Sequence, residues 1–306
     1  MNPTVKISKD QHIWKYEASM KPVVSVEPGT VIEIETWDCF TGQVQSQEDT
    51  LLNLDMTRIN SATGPIEVIG AEPGDSLSVT LIDIQPGSKG AGMVIPEWGQ
   101  LVDKSQAPST RIFHVKDGTI TMESNGVTFP ARPMFGVIGV APAKGEIGTF
   151  FADRHGGNMD DHQNGIGATL HMPVFQSGGM LAIGDMHASM GDGEISGTGV
   201  EIGGTATIKV DLIKGKQGGW PITEDSQAWY THGTTADSID GALKSACEEA
   251  AKLLVDQWGF TIEDAFIFLS VAGDLGIAQY CHPSPGSVIA RMRVPKISAC
   301  PSPFKI

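Results

Sequence analysis

An aspartate and a histidine stand two residues apart, at Asp185 and His187, directly after the apolar residues 180–183. If this stretch is a β-strand, both side chains project from the same face, because successive side chains on a strand point to opposite sides. A carboxylate and an imidazole that converge on one point supply half of a site for zinc or another first-row divalent ion. The spacing therefore predicts a metal site around this pair.

A second pair with the same spacing follows at Asp192 and Glu194, and Glu201 lies on the next extended segment. Glycines surround these acids and allow the sharp turns that would fold them back toward the first pair. Carboxylates beside a metal can orient its ligands or act as a general base. Asp38, at the end of an alternating strand, is a further candidate ligand. Turn formation alone also explains any one of these acids, since Asp favours turns.

Short alternating apolar segments separated by glycine and proline predict a chain made mostly of strands. The segments with the clearest alternation are residues 31–36, 76–84, 111–115, 119–122, 137–140 and 205–214. Asp117 and Gly118 predict a tight hairpin turn between two of them.

Helical spacing appears late in the chain, from Thr235 or Asp237 to Trp258, with Gly259 as a fitting C-terminal residue. Thr261 can cap a second helix that runs through Val271. A closing strand is predicted over residues 287–294.

This order of elements predicts an α+β protein that is mainly β, with a β-sandwich or barrel-like body and a C-terminal α/β portion. A soft boundary near residues 140–150 separates a β-rich N-terminal part, residues 1–145, from residues 146–306, which carry the metal site, the helical pair and the closing strand. One continuous domain is the alternative.

The chain has 306 residues and a formal net charge of -15, which disfavours nucleic acid and anionic membranes as partners. No apolar run approaches the roughly 20 residues that span a bilayer. The first residues lack a signal-peptide pattern, so a cytoplasmic location is expected. The four cysteines are scattered and form neither a disulfide framework nor a Cys-x-x-Cys zinc motif.

Four segments resemble, in the same order, motifs of the acetamidase/formamidase family: residues 63–75, 157–160, 184–194 and 269–275. The resemblance implies a mainly β fold, a homo-oligomer, and hydrolysis of small aliphatic amides such as formamide or acetamide. It also implies that Asn158 and the residue at position 190 contact the substrate. Met190 stands where the family usually has Gln, so the substrate range can differ.

The spacing and the resemblance together predict one or two divalent ions surrounded by Asp38, Asp160, Asp185, His187, Asp192, Glu194 and Glu201. Zinc is the first choice because of His187, and calcium would suit an additional oxygen-rich site built from Asp192 and Glu194. His187, Glu194 and Glu201 are the expected catalytic groups, with one of the two glutamates carrying a proton to the departing ammonia.

Two other functions fit the sequence. A cysteine hydrolase would use Cys39 or Cys281 as nucleophile, although the sequence pairs neither with a base. A non-catalytic β-sandwich binding protein would hold a structural metal with a closed set of four protein ligands.

Overall fold

The computed structural model describes residues 3–105, 107–234, 238–281 and 288–304. Within these residues the strands are β1 (Val5–Ile7), β2 (His12–Ile13), β3 (Lys15–Glu17), β4 (Val24–Val26), β5 (Thr30–Thr36), β6 (Ala62–Val68), β7 (Ser76–Pro86), β8 (Lys89–Val94), β9 (Ser109–Lys116), β10 (Thr119–Met122) and β11 (Thr128–Pro130). They continue with β12 (Met134–Gly139), β13 (Glu146–Gly148), β14 (Ala152–Asp153), β15 (Gly156–Asn158), β16 (Thr169–Pro173), β17 (Leu181–His187), β18 (Gly204–Ile213), β19 (Ile222–Glu224), β20 (Ala228–Gly233), β21 (Asp274–Gln279) and β22 (Ile289–Pro295). The helices are α1 (Ile239–Trp258) and α2 (Ile262–Ala272), and short 3₁₀ turns occupy Leu51–Asn53 and Met56–Arg58.

Two large sheets form the body of the protein. One has nine strands in the order β1-β5-β18-β7-β16-β19-β20-β22-β21, and the other has the order β14-β15-β12-β17-β6-β2, with β4 also paired to β6. A smaller sheet has the order β11-β10-β9-β8, and β13 pairs with β3. Both large sheets contain strands from before and after residues 140–150, so the predicted boundary does not separate one sheet from the other.

The main apolar core lies between the two large sheets. Ile32 and Ile34 from the nine-stranded sheet and Ile66, Ile138 and Ile183 from the other are fully buried in the same cluster. Burial of each such side chain contributes about 1.5–3 kcal/mol. This alternation of buried apolar residues is the pattern from which the strands were predicted.

The two helices pack at one end of the nine-stranded sheet. Helix α1 contacts β20 and β22, with a core of its own that includes Ala246, Leu254 and Trp229. Gly259 ends α1 in a left-handed conformation (φ 69°), and the Thr261 hydroxyl accepts a hydrogen bond from Asp264 N at the start of α2. None of the helices among the described residues is both long enough and apolar enough to span a membrane.

The main predicted elements are confirmed. The six predicted strands correspond to β5, β7, β9, β10, β12 and β18, although Val140 lies beyond β12. Asp117 and Gly118 have positive φ in the β9–β10 hairpin, as a two-residue turn of this kind requires. The predicted beginnings of α1, at Thr235 or Asp237, and of the last strand, at Ser287, lie outside the described residues. Strand β21 was not predicted.

Candidate functional site

Strand β17, inside the seven-stranded sheet, carries the aspartate–histidine pair. Ile183 and Met186 both lie in the main core although they are three residues apart, so the alternation of sides changes between them. The change coincides with Asp185, whose backbone is left-handed (φ 56°). Asp185 and His187 consequently converge, with Asp185 Oδ1 3.5 Å from His187 Nε2.

Three further acids reach this pair from separate loops and segments. The same His187 Nε2 lies 3.1 Å from Glu201 Oε2 and 3.9 Å from Asp160 Oδ1. Two groups of possible ligand atoms result, each with its atoms within 4.8 Å of one another: Cys39, Asp185 and Glu201 form one, and Asp160, His187 and Glu194 form the other.

Glycine makes this convergence sterically possible. A Cβ on Gly136, in the neighbouring strand β12, would lie 2.6 Å from Asp185 Oδ2 and would overlap Asp160 Oδ1. A Cβ on Gly199 would lie 2.6 Å from His187 Nδ1. Any larger residue at either position would push the metal-ligand candidates apart.

Hydrogen bonds fix the position of one carboxylate oxygen in several of these acids. Asp160 Oδ2 accepts from Asn158 Nδ2 at 2.5 Å and from Gln279 Nε2, which also donates to Glu194 Oε2 at 3.0 Å. Glu201 Oε1 accepts from Gly199 N at 3.0 Å. The amide groups and the backbone therefore orient the carboxylates.

Other polar atoms of the same cluster have no hydrogen-bond partner in the part of the chain that the structure describes. Five of the buried side-chain atoms without a hydrogen-bond partner among the described residues belong to this site: Asp160 Oδ1, Asp185 Oδ1, Glu201 Oε2, and both ring nitrogens of His187. The short contacts of His187 Nε2 with carboxylate oxygens lack hydrogen-bond geometry. Buried polar atoms are nearly always paired, so such a set indicates a ligand that these atoms would bind together.

The buried carboxylates of the site also lack a compensating positive charge from any lysine or arginine that the structure describes. Burial raises the pKa of Asp160 and Glu194, and it raises the pKa of Glu201 to about 8. Burial opposes protonation of His187, but Glu201 and Asp185 outweigh it and raise the pKa of that imidazole well above 6.5. No lysine or arginine among the described residues pairs with any of the four carboxylates at the site. A divalent cation would supply the missing positive charge.

Two predicted ligands lie outside this cluster. Asp38 caps a turn, accepting from Phe40 N at 2.8 Å and Gly42 N at 3.0 Å. Asp192 accepts two hydrogen bonds from Arg291, at 2.8 and 2.6 Å. Because their oxygens already have these partners and neither carboxylate belongs to a ligand group, we remove both from the ligand set. The two acids expected at an additional calcium site have different surroundings, because Arg291 binds Asp192 while Glu194 belongs to the ligand group of Asp160 and His187.

A cavity of about 40 Å³ opens onto the acids. Its lining includes Asn60, Asn158, Gln279, Cys39 and Cys281, and three aromatic residues, Trp98, Phe150 and Phe151. Asn158 lines the cavity, and its amide donates to Asp160 and accepts from Asn60 Nδ2 at 3.1 Å. Met190 is not among the residues that line this cavity, and it lines a separate cavity together with Arg111 and Phe129.

Sequence reasoning missed Gln279 and Trp98. Gln279 approaches Glu194 from strand β21, and the backbone of Gly193 bridges to it. These residues are far apart in the sequence, so no spacing motif could have associated them.

The sequence profile of the acetamidase/formamidase family matches residues 3–152 and 147–295. The chain belongs to this family. The crystal structure of an acetamidase from Bacillus halodurans is 34% identical, with a TM-score of 0.90 over 95% of this chain and 97% of the other. The acetamidase of Mycolicibacterium smegmatis is 25% identical over 94% of this chain and 92% of its own length. A putative formamidase of Schizosaccharomyces pombe is 28% identical over 62% of this chain, which spans 61% of that relative's length.

The acetamidase/formamidase family is one of hydrolases that act on amide C–N bonds, and its motifs have distinct places in this fold. Residues 157–160 and 184–194 supply acids and the histidine of the site. Residues 63–75 form β6 and the turn into β7, and residues 269–275 join α2 to β21. Two of the four motifs thus supply the buried acids and the histidine, and the other two form strands, a turn and a connection around them.

Proposed function

We propose that this protein hydrolyses small aliphatic amides, such as formamide and acetamide, to a carboxylate and ammonia, and that the reaction depends on a divalent metal. The observation that carries the proposal is the convergence of buried carboxylate oxygens and an imidazole without hydrogen-bond donors. Membership of the acetamidase/formamidase family and the names of the relatives support the choice of reaction.

The ligand atoms suit zinc. Imidazole and carboxylate are ligands that zinc accepts, and a thiol, that of Cys39, lies beside Asp185 and Glu201. The two ligand groups provide for one ion or for two neighbouring ions. A bound ion would lower the pKa of a water molecule and polarise the amide carbonyl.

The chain's own residues then orient the reactants and move the proton. Gln279 holds Asp160 and Glu194 through one amide nitrogen, so these two acids keep a defined separation. Glu201 lines the cavity, and its Oε2 has no donor among the described residues and lies 3.1 Å from His187 Nε2. We assign Glu201, with Glu194 as the alternative, to accept a proton from the attacking water and deliver it to the departing nitrogen.

The cavity supports a small substrate. Its volume of about 40 Å³ leaves room for only a few non-hydrogen atoms beside the acids. Trp98 and Phe150 are partly buried against the neighbouring apolar cluster, and they form a wall where the acyl group of an amide would lie. Formamide and acetamide, with a hydrogen and a methyl group at this position, fit such a wall better than long-chain amides.

The thiol alternative has less support. Burial raises the pKa of Cys39 well above 9.0, and the neighbouring carboxylates of Asp185 and Glu201 raise it further. A nucleophilic cysteine needs the opposite, a pKa lowered by a base or a positive charge. Cys39 Sγ donates to Asn60 Oδ1 at 3.9 Å, and an amide oxygen is not a base. Cys281 Sγ lies 3.6 Å from Glu194 Oε2, but burial and that carboxylate raise the pKa of this thiol as well.

The test is ammonia release from a panel of small amides, before and after prolonged chelation. We expect chelation to abolish turnover, zinc or another first-row divalent ion to restore it, and Cys39→Ala to retain measurable activity. Full activity in metal-free protein, with complete inactivation by a thiol alkylator, would establish the cysteine mechanism instead. A tightly bound metal with all four coordination positions occupied by protein ligands, in a protein that turns over no amide, would favour the structural-metal alternative.

A further inference from the structure

A partly buried network of charged side chains borders the site. Arg291, in β22, donates from Nη1 to Asp161 Oδ1 at 3.0 Å and binds both carboxylate oxygens of Asp192, at 2.8 and 2.6 Å. Asp161 is fully buried and also accepts from His232 Nε2 at 2.9 Å. One guanidinium thus joins two loops that are far apart in the sequence.

Each loop carries one acid of the site. Asp161 directly follows Asp160, and Asp192 precedes Glu194 by two residues. Asp160 and Glu194 both have left-handed backbones, with φ of 35° and 44°. A non-glycine residue in this conformation is strained and persists only where its surroundings hold it in place.

The geometry of Arg291 is better suited to fixing the positions of the two loops than to stabilising the fold alone. An ion pair with a half-exposed carboxylate such as Asp192 contributes little stability by itself, and a buried ion pair is weak evidence for stability. A planar guanidinium with several donors in fixed directions instead constrains the positions of both partners. Arg291 is well suited to set the separation of the two loops.

We propose that Arg291 is a positioning residue that, by clamping Asp161 and Asp192, holds Asp160 and Glu194 at the separation required to bind a metal with His187. The inference rests on the proposed function, since it concerns the same ligand group. Among the described residues, the hydrogen bonds of Arg291 go to Asp161 and Asp192 and not to the two acids themselves, so its effect would pass through the two loops.

The experiment compares Arg291→Lys and Asp192→Asn with matched controls. The controls are Arg293→Lys and Asp274→Asn, because Arg293 lies on the same strand and pairs at 3.2 Å with an exposed Asp274. The measurements are the zinc dissociation constant from chelator competition, kcat and KM for acetamide, and the midpoint of thermal unfolding.

We expect Arg291→Lys and Asp192→Asn to weaken zinc binding by about 10–100-fold, the usual effect of losing a residue that orients metal ligands. The value of kcat at saturating zinc should fall by about tenfold or more, while KM changes by less than about threefold, because the acids act on the reacting bond. The Arg291→Lys/Asp192→Asn double variant should have a zinc affinity and a kcat close to those of either single variant, since both substitutions break the same contact. The controls should match the wild type.

Wild-type zinc affinity and kcat in folded Arg291→Lys overturn the inference, as does a lower unfolding midpoint with unchanged zinc affinity, which would indicate a purely structural ion pair. If the wild-type protein binds zinc but hydrolyses no amide, the proposed reaction fails, and the zinc measurements still decide the role of Arg291. A wild-type protein that binds no divalent ion overturns both.

Discussion

His187 is the residue on which the acids of the site converge. Its ring is completely buried, and its Nε2 lies within 3.9 Å of three carboxylates. Neither ring nitrogen has a hydrogen-bond partner among the described residues. A histidine in these surroundings is suited to binding a metal ion. The ion would bind a ring nitrogen and would neutralise the negative charge of the surrounding carboxylates.

We predict that His187→Ala lowers kcat/KM for acetamide at least about a hundredfold, a loss of about 2.7 kcal/mol of transition-state stabilisation. The variant should also bind less zinc, because it lacks the imidazole ligand. Metal content by elemental analysis and ammonia release check this, and circular dichroism controls for the fold. Normal turnover with unchanged metal content would remove His187 from the site.

Trp98 is the residue that we expect to limit the size of the acyl group. It lines the same cavity as the acids, and its ring packs against Gly197, where a Cβ would lie 3.2 Å from Trp98 Cε3. The close packing holds the ring in one position, so the wall cannot easily retreat from a larger substrate.

We predict that Trp98→Ala raises the ratio of kcat/KM for butyramide to kcat/KM for acetamide by at least about tenfold, the discrimination that one or two methylene groups provide in an apolar pocket. Both substrates are measured on the same enzyme, so a loss of folded protein cancels in the ratio. An unchanged ratio would mean that another part of the cavity sets the chain length.

At the scale of elements, the site forms where β17 meets β12 and the segment that carries Glu194 and Glu201. Isolated bridges tie His187 to Glu201 and Gly193 to Gln279, so the backbone itself brings the segment against the strands. Gly136 in β12 supplies the space for the carboxylates. The site therefore depends on the separation of neighbouring strands as well as on the ligands.

We predict that Gly136→Ala abolishes zinc binding and lowers amide hydrolysis at least about a hundredfold, because the added methyl carbon would overlap Asp160 Oδ1 and would displace it. Gly276→Ala is the matched control, since a Cβ at this strand position meets no atom within 4 Å. Chelator competition and ammonia release distinguish the two variants. Equal zinc affinity in both would show that the carboxylates can relax around the methyl group.

At the scale of the whole molecule, α2 leaves an apolar face uncovered. Phe266, Ile267 and Val271 are 75%, 61% and 76% exposed, and a groove of about 740 Å³ lies between α1 and α2. Exposed apolar patches of this kind mark association surfaces. The groove carries Lys244 together with Glu263, so two copies related by a twofold axis can pair opposite charges.

We therefore predict a homo-oligomer in which a second copy of the chain covers α2, and we expect Phe266→Asp to reduce the molar mass measured by light scattering after size-exclusion chromatography. Leu52→Asp is the control, because Leu52 is 78% exposed but lies in the 3₁₀ turn Leu51–Asn53 and does not line the groove. A monomeric wild type at micromolar concentration, or an unchanged mass for Phe266→Asp, would contradict this interface.

Much of the fold followed from local patterns. The alternation of residues 31–36 and 76–84 predicted β5 and β7 because an apolar side chain on every second residue forms one buried face. Thr261 and Gly259 marked helix ends because capping depends on residues within one turn. Asp185 and His187 were identified as a pair for the same reason, since two residues on one strand need no distant partner to share a face.

The tertiary structure decided which loop acids reach the site. Asp38 and Cys39 are adjacent, yet the cysteine lines the cavity while the aspartate caps a turn. Asp192 and Glu194 share the spacing of Asp185 and His187, but Arg291 from β22 holds the first and Gln279 from β21 holds the second. The direction of a loop side chain depends on its contacts with residues of strands that are remote in the sequence. The spacing of residues along the chain does not specify those contacts.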